Sequence, residues 1–405
     1  TASQSSAACS VVVRMTNKPQ FVGGKVKLGS LIKPAKVERC GKQGYPILSI
    51  TKDDGIVLQS AKFKKRIASK DTSSYKVVPR GKLIQGIHID EANFAIQNLV
   101  DWGIVSPAYK IWDIDSAIVE PEYLALALRS ESSLAYYRRN LVGTVHRRGR
   151  MSNEVFYRLE VNLPPLQVQK RILAILGDTA SQIEYAQQQI AQLDSLVKSR
   201  FVEMFGDLAS YESRALKDCV LVIESGKSPK CLARPREGDS LGVLKLSAIS
   251  SGVYKETENK ALPSDTKAAD GKVVCDGDIL LARKNTPELV GQSVLVNHTD
   301  GNIMFPDIVF RMHVRPEVDE VYLSHALAYP LAGAIKSLAH GSAKSMSNIP
   351  KSELAKLLIP LPPLALQQEF AAFVAQADKS RFIAQQQIEK LQMLYDSLAQ
   401  EYFGD

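Results

Sequence analysis

The sequence predicts an α+β fold: two similar α+β domains separated by two long helices that pair as an antiparallel coiled coil, in a pseudo-two-fold arrangement. Three observations carry this. LPPLQVQ, Leu163 to Gln169, returns as LPPLALQ, Leu361 to Gln367. The same offset holds without a gap to the end of the chain, where Ala186-Gln187-Gln188-Gln189-Ile190 falls on Ala384-Gln385-Gln386-Gln387-Ile388 and Phe205-Gly206-Asp207 on Phe403-Gly404-Asp405. Behind each Pro-Pro pair, apolar residues recur with the alternating steps of four and three that mark a coiled-coil seam.

Taken in order, residues 1–21 form a leader expected to be disordered or extraneous to the fold. Residues 22–162 form the first domain, 163–207 the central helix, 208–360 the second domain and 361–405 the closing helix. The 405 residues suffice for this plan. Upstream the repeat is fainter. YKVVPRGKLI (Tyr75–Ile84) parallels GKVVCDGDIL (Gly271–Leu280), PILSI (Pro46–Ile50) parallels GVLKL (Gly242–Leu246), and EYL (Glu122–Leu124) parallels VYL (Val321–Leu323). Short β-branched runs, GIVLQS, SVLV and IVFRMHV, alternate with Gly, Asp and Pro turns and read as strands. Helical spacing appears near Glu122–Asn140 and Val321–Leu338. Trp102 and Trp112 are expected in the core, and Tyr136 and Tyr137 in helix packing.

The predicted seam comprises Ile172, Leu176, Ile183, Ile190 and Leu193 on the first helix and Phe370, Val374, Ile388 and Leu391 on the second, with Thr179, Ala186 and Val197 and with Ala377, Arg381, Ala384 and Tyr395 completing the rhythm. Proline at a helix start costs little, because the first amide donors lack partners anyway. Gln167 to Phe205 as one helix spans about 58 Å at ~1.5 Å per residue. If the helices run antiparallel, Asp405 returns to the start of the first domain, around Val26 to Leu31.

Composition narrows the function. A formal charge of +8 is compatible with an anionic partner such as DNA. No stretch of about eighteen apolar residues is present, so no membrane partner is expected. Cys9, Cys40, Cys219, Cys231 and Cys275 form no Cys-x-x-Cys pair and read as thiols of a reducing, cytoplasmic protein. Catalytic and metal-binding signals are missing. Gly226-Lys227-Ser228 resembles a phosphate loop, but Leu221 stands where its first glycine belongs. Asn162-Leu163-Pro164-Pro165 only hints at an adenine-methyltransferase motif, with Leu163 intervening, no aromatic at Leu166, and Pro360 in place of Asn162 in the second copy.

Basic and polar clusters occupy equivalent places. HRRGRMSN (His146–Asn153) and HGSAKSMSN (His340–Asn348) precede the two Pro-Pro signals and read as loops. Arg147, Arg148 and Arg150 suit phosphates or guanine edges, and Asn153 and Asn348 suit adenine, with Lys344 beside the latter. Lys64, Lys65 and Arg66 form a further basic run, and Arg283, Lys284 and Asn285 follow the strand GDILLA directly. A solvated charged face is the competing reading for each.

The order of these segments, doubled, resembles the specificity subunit of type I restriction–modification systems, from about Val26 to Asp405. The residues that carry the resemblance are GIVSPAY (Gly103–Tyr109), GDILLAR (Gly277–Arg283), FPDIVFRM (Phe305–Met312), LIPLPPLALQQEF (Leu358–Phe370) and RFVEMFGD (Arg200–Asp207). The leader, and RGKLIQGIHID in the first half, depart from the pattern. The resemblance implies a non-catalytic subunit whose two domains each recognise one half of a split, asymmetric double-stranded DNA site. It implies two modification subunits that methylate adenine N6 with S-adenosylmethionine, and two restriction subunits that use ATP and Mg, this chain itself binding no cofactor. A coiled-coil protein-interaction scaffold without DNA binding is the main alternative, and a self-contained enzyme a third reading.

Overall fold

The computed structural model describes residues 23–404 apart from 52–54, 64–67, 70, 142–150, 269–270 and 342–345. The leader therefore lies outside the described residues. Contacts divide the chain into two compact units. One runs to Ala186 and takes in the chain again from Gln386; the other is Gln187–Gln385. Each unit holds one half of each long helix.

In the first unit, strand Gly24–Lys27 pairs antiparallel with Glu160–Leu163, directly ahead of Pro164. A four-stranded sheet follows, in the order Ile32–Pro34, Lys110–Ile114, Leu83–Gln85, Phe94–Ile96. Beside it lie the hairpin Leu48–Thr51/Gly55–Leu58 and the pair Lys76–Pro79/Trp102–Val105. The helical stretch predicted at Glu122–Asn140 is two helices, Pro121–Leu128 and Glu131–Asn140. Ser130 causes the break: its hydroxyl accepts from the Ser133 amide and caps the second helix. Trp112, Phe94, Phe156 and Tyr137 fill the core. Trp112 is buried as expected, whereas Trp102 is 54% exposed. It is the first residue of its strand, opposite Pro79.

The second unit repeats this plan. Ser213–Ala215 pairs with Leu358–Pro360 ahead of Pro362. Its four-stranded sheet has the same order, Val220–Ser225, Val309–Val314, Ile279–Ala282, Ser293–Leu295. A three-stranded sheet joins Asn259–Ala261, Gly242–Leu244 and Ile303–Met304, the last two parallel. The predicted helix at Val321–Leu338 is again two, Glu320–Ala328 and Ala332–Ser337. Here Pro330 interrupts, since its ring excludes an amide donor from the helix interior.

The long helices span Leu166–Phe205 and Leu364–Phe403, 40 residues each. Ile172, Leu176, Phe370 and Val374 are buried, and Ile183, Ile190, Leu193, Ile388 and Leu391 half-buried, so no residue of the predicted seam faces open solvent. Within the first unit, Ile172 and Leu176 near the start of one helix share a core with Leu398, Tyr402 and Phe403 at the end of the other. Within the second, Arg200 pairs with Glu369 at 3.2 Å and Asp194 with Arg381 at 2.6 Å. The numbers fall on one helix as they rise on the other, so the pairing in each unit is antiparallel. Asp405 lies outside the described residues, but the Gly404 carbonyl accepts from Asn162 Nδ2 at 3.3 Å, and Asn162 is paired with Lys25. Gly404 thus meets the strand that pairs with Gly24–Lys27.

Candidate nucleic-acid interface

The repeated Pro-Pro signal ends in a glutamine, and in both copies that side chain is buried. Gln169 Oε1 accepts from the Glu120 amide at 2.8 Å, and its Nε2 donates to the carbonyls of Pro164 and Ile118. Gln367 Oε1 accepts from the Asp319 amide at 3.0 Å, and its Nε2 donates to the Pro362 carbonyl. Nearby, Tyr123 Oη donates to the Asn162 carbonyl and Tyr322 Oη to that of Pro360. Each latch fixes the start of a long helix to its own unit, because a buried amide left without a partner is costly. The Tyr rings then meet the Phe-Gly-Asp ends of the helices: Tyr123 lies 5.1 Å from Phe403, and Tyr322 4.9 Å from Phe205.

The residues chosen from sequence fall out unevenly on this frame. Arg147, Arg148, Arg150, Lys64, Lys65, Arg66 and Lys344 lie outside the described residues. Asn153 and Asn348 are not in loops. Asn153 opens the helix Asn153–Tyr157, capped by Ser152, and its Oδ1 accepts from Lys110 Nζ at 2.7 Å. Asn348 lies in a short strand, Ser347–Asn348, that pairs with Lys284–Asn285 and is held from its other side by His340. The structure thus brings Arg283, Lys284, Asn285 and Asn348 together.

Strand alternation divides these four. Arg283 lies over the Phe310 ring at 5.3 Å and donates to Ser225 Oγ, and Asn285 is buried with its Oδ1 on the Thr286 amide. Lys284, on the opposite face, is half-buried and has no carboxylate partner among the described residues. Three buried polar atoms of the group, Arg283 Nε, Asn285 Nδ2 and Asn348 Oδ1, have no hydrogen-bond partner among the described residues.

Gly226-Lys227-Ser228 is explained by packing. The Gly226 backbone runs so close to Phe305 that an added Cβ would sit 1.9 Å from its carbonyl oxygen, and the Lys227 amide donates to that oxygen at 3.0 Å. The glycine serves sheet contact. No group of three or more His, Cys, Asp and Glu side chains able to hold a metal ion occurs among the described residues. Among the described residues, no helix is long and apolar enough to cross a membrane.

The equivalent sheets carry different charge. In the second unit Glu224 receives both Lys272 and Arg311. Burial raises its carboxyl, yet the hydrogen bonds from Lys272 and Arg311 outweigh this and hold it below the usual carboxylate range. Asp278 lies 3.5 Å from His313, and burial raises its carboxyl. In the first unit the positions of Asp278 and His313 hold Lys82 and Asp113, an ion pair at 2.6 Å with its signs reversed.

Comparisons with known proteins agree with this frame. No protein-family model matches the chain. Over 148 residues it is 34% identical to the specificity subunit of the type I restriction enzyme EcoEI of Escherichia coli, a stretch covering 36% of this chain and 25% of that protein. The chain thus matches about a quarter of the curated relative's length. The fold extends further. A chain from a structure concerned with complex assembly and conformational transition of the type I R-M system matches with a TM-score of 0.52 and 18% identity, over 94% of this chain and 97% of that one. The S subunit of a type I restriction–modification system from M. genitalium matches with a TM-score of 0.54 and 14% identity, over 96% and 98%. In sequence over one segment, and in fold over nearly its whole length, the chain is similar to the specificity subunits of type I restriction–modification systems.

Proposed function

We propose that the chain is the DNA-recognition subunit of a type I restriction–modification assembly. Each α+β domain binds one half of a split, asymmetric duplex site, and the two long helices set the spacing between the halves. Two modification subunits supply adenine-N6 methylation from S-adenosylmethionine; two restriction subunits supply cleavage with ATP and Mg. The chain works in the cytoplasm and itself performs no catalysis. The observation that carries this reading is the 34% identity to a type I specificity subunit. The duplicated frame, with a fold like that of S subunits over 96% of the chain, supports it.

The physics of such a site favours two readers. One domain contacts only a few base pairs, each wrong pair costing roughly 1–3 kcal/mol. Tethering two domains multiplies discrimination through effective concentration, provided the tether matches the duplex. Methylation of a stacked adenine requires it to be flipped out, so the recognition domains must grip the flanking duplex while a partner works.

The test is duplex binding by the full chain, assembled with its methyltransferase subunits, across a salt series. A steep fall in affinity with rising salt, together with preference for one bipartite sequence, is expected. Assembly with methyltransferase subunits but no salt-dependent DNA binding would instead establish the scaffold reading. Methylation of DNA by the pure chain alone would establish an enzyme.

A further inference from the structure

The duplication supplies an internal control for charge. Lys76-Val77-Val78 aligns with Lys272-Val273-Val274, and Gly81 with Gly277; both glycines adopt the left-handed conformation, at φ 86° and 81°. Leu83 faces Trp112 where Ile279 faces Met312. Pro34 faces Trp112 where Ile223 faces Met312. One residue further along these ladders, Ala35 stands opposite Ile111 where Glu224 stands opposite Arg311. The first unit therefore keeps the lysine of the second unit's cluster and replaces its carboxylate with alanine.

The lysine is left with neutral company. Lys76 Nζ donates to the Tyr109 carbonyl at 2.6 Å. The next residue, Lys110, donates to Asn153 Oδ1 at 2.7 Å and lies 5.9 Å from the centre of the Trp112 ring. Among the described residues, neither lysine has a carboxylate within ion-pair distance. Both are half-buried. Burial lowers the Lys76 ammonium below the usual lysine range; burial, then the Lys76 charge, lowers that of Lys110. Two like charges are thus held together, partly out of water, with no counter-charge among the described residues. Asn153, which orients Lys110, follows Arg150 by three residues in sequence.

We propose that Lys76 and Lys110 form a phosphate clamp that grips the DNA backbone from the first unit, whereas the second unit closes the equivalent place internally through Glu224. The clamp rests on the DNA-binding reading above and assigns its backbone contact. It positions the duplex and carries no sequence preference.

The test is the salt dependence of duplex binding by the full chain in its methyltransferase assembly. Replacing both lysines, Lys76→Gln with Lys110→Gln, is expected to flatten the slope of log affinity against log salt by about 2, one per phosphate contact. Target and unrelated duplexes should weaken in parallel. Lys272→Gln is the matched control and should leave the slope in place. Ala35→Glu touches neither lysine but supplies the carboxylate of the second unit; it should flatten the slope as well. Lys76→Arg with Lys110→Arg should preserve the slope, which separates charge from folding. A wild-type slope in both the double Gln variant and Ala35→Glu overturns the clamp while leaving DNA recognition standing. Loss of methyltransferase association instead of DNA affinity would overturn it in favour of a protein contact. Absence of salt-dependent binding by the wild-type chain would overturn the recognition reading itself, and the clamp with it.

Discussion

The two units share their fastenings and differ in their charges. The glutamine latch, the tyrosine beside it, the strand pair ahead of the prolines and the order of the four-stranded sheet recur at corresponding positions. The side chains on those sheets do not. Glu224 and Arg311 become Ala35 and Ile111, and the Asp278–His313 pair becomes Lys82–Asp113; off the sheets, on the helix Glu320–Ala328, His325 becomes Leu126. Frame residues answer to packing inside one chain, which is the same problem in both copies. Sheet-face residues are free to answer to something outside, and there the copies diverge.

The largest test of this comparison lies at the helix ends. Phe205→Ala should cost about 3–5 kcal/mol in urea unfolding, because Phe205 packs against the rings of Phe201, Tyr322 and Phe370. Phe403→Ala should cost less, since among the described residues its ring contact is with Tyr123 alone. Equal costs, or the reverse order, would show that ring contacts do not set the strength of these fastenings. Next come the latches. Gln169→Leu and Gln367→Leu should each cost about 1–3 kcal/mol, the price of stranding a buried amide. Gln169→Leu should be the worse of the two, because among the described residues Gln169 makes three bonds and Gln367 two.

A pH scan sharpens the comparison at one position. His325 is half-buried beside Phe370 in the second unit, facing Asp378 and Arg381, and the burial it has lowers its pKa below the usual 6.5. The folded unit favours the neutral ring. Its stability is therefore full above pH 6.5 and declines as the pH falls from there toward the depressed value. Thermal melts should show this decline, and His325→Leu, which copies Leu126, should remove it. A smaller effect is expected at the seam. Arg381 meets Asp194 and Asp378 in partly exposed pairs, so Arg381→Ala should cost only about 0.2–1 kcal/mol.

The helices and their seam were legible because a heptad is a local pattern, and Pro-Pro before an apolar run marks a helix start within a few residues. Sheet order was not, since Ile32–Pro34 and Lys110–Ile114 pair across a long stretch of chain that periodicity cannot bridge. The terminal glutamine of each motif stood in plain view, but its partners, Glu120 and Asp319, lie 49 and 48 residues away. Trp102 was misplaced because hydrophobicity says nothing of where a strand ends. The basic loops drew attention as charge clusters. Lys76 and Lys110 were passed over because each is a single lysine in an apolar run. The signal for Lys76 was its alignment with Lys272, and what sets it apart is Ala35 at the place of Glu224.

The central claim is that two unlike domains on one duplicated frame read the two halves of a DNA site. Mapping methylated adenines across the genome of a host carrying the complete system tests it most directly, with a second host whose chain has four residues inserted near Gln188. The account predicts one split, asymmetric motif bearing N6-methyladenine, and an altered gap or loss of methylation in the insertion strain, where the heptad register is broken. A contiguous motif, or the same split motif with its gap unchanged after the insertion, would contradict it.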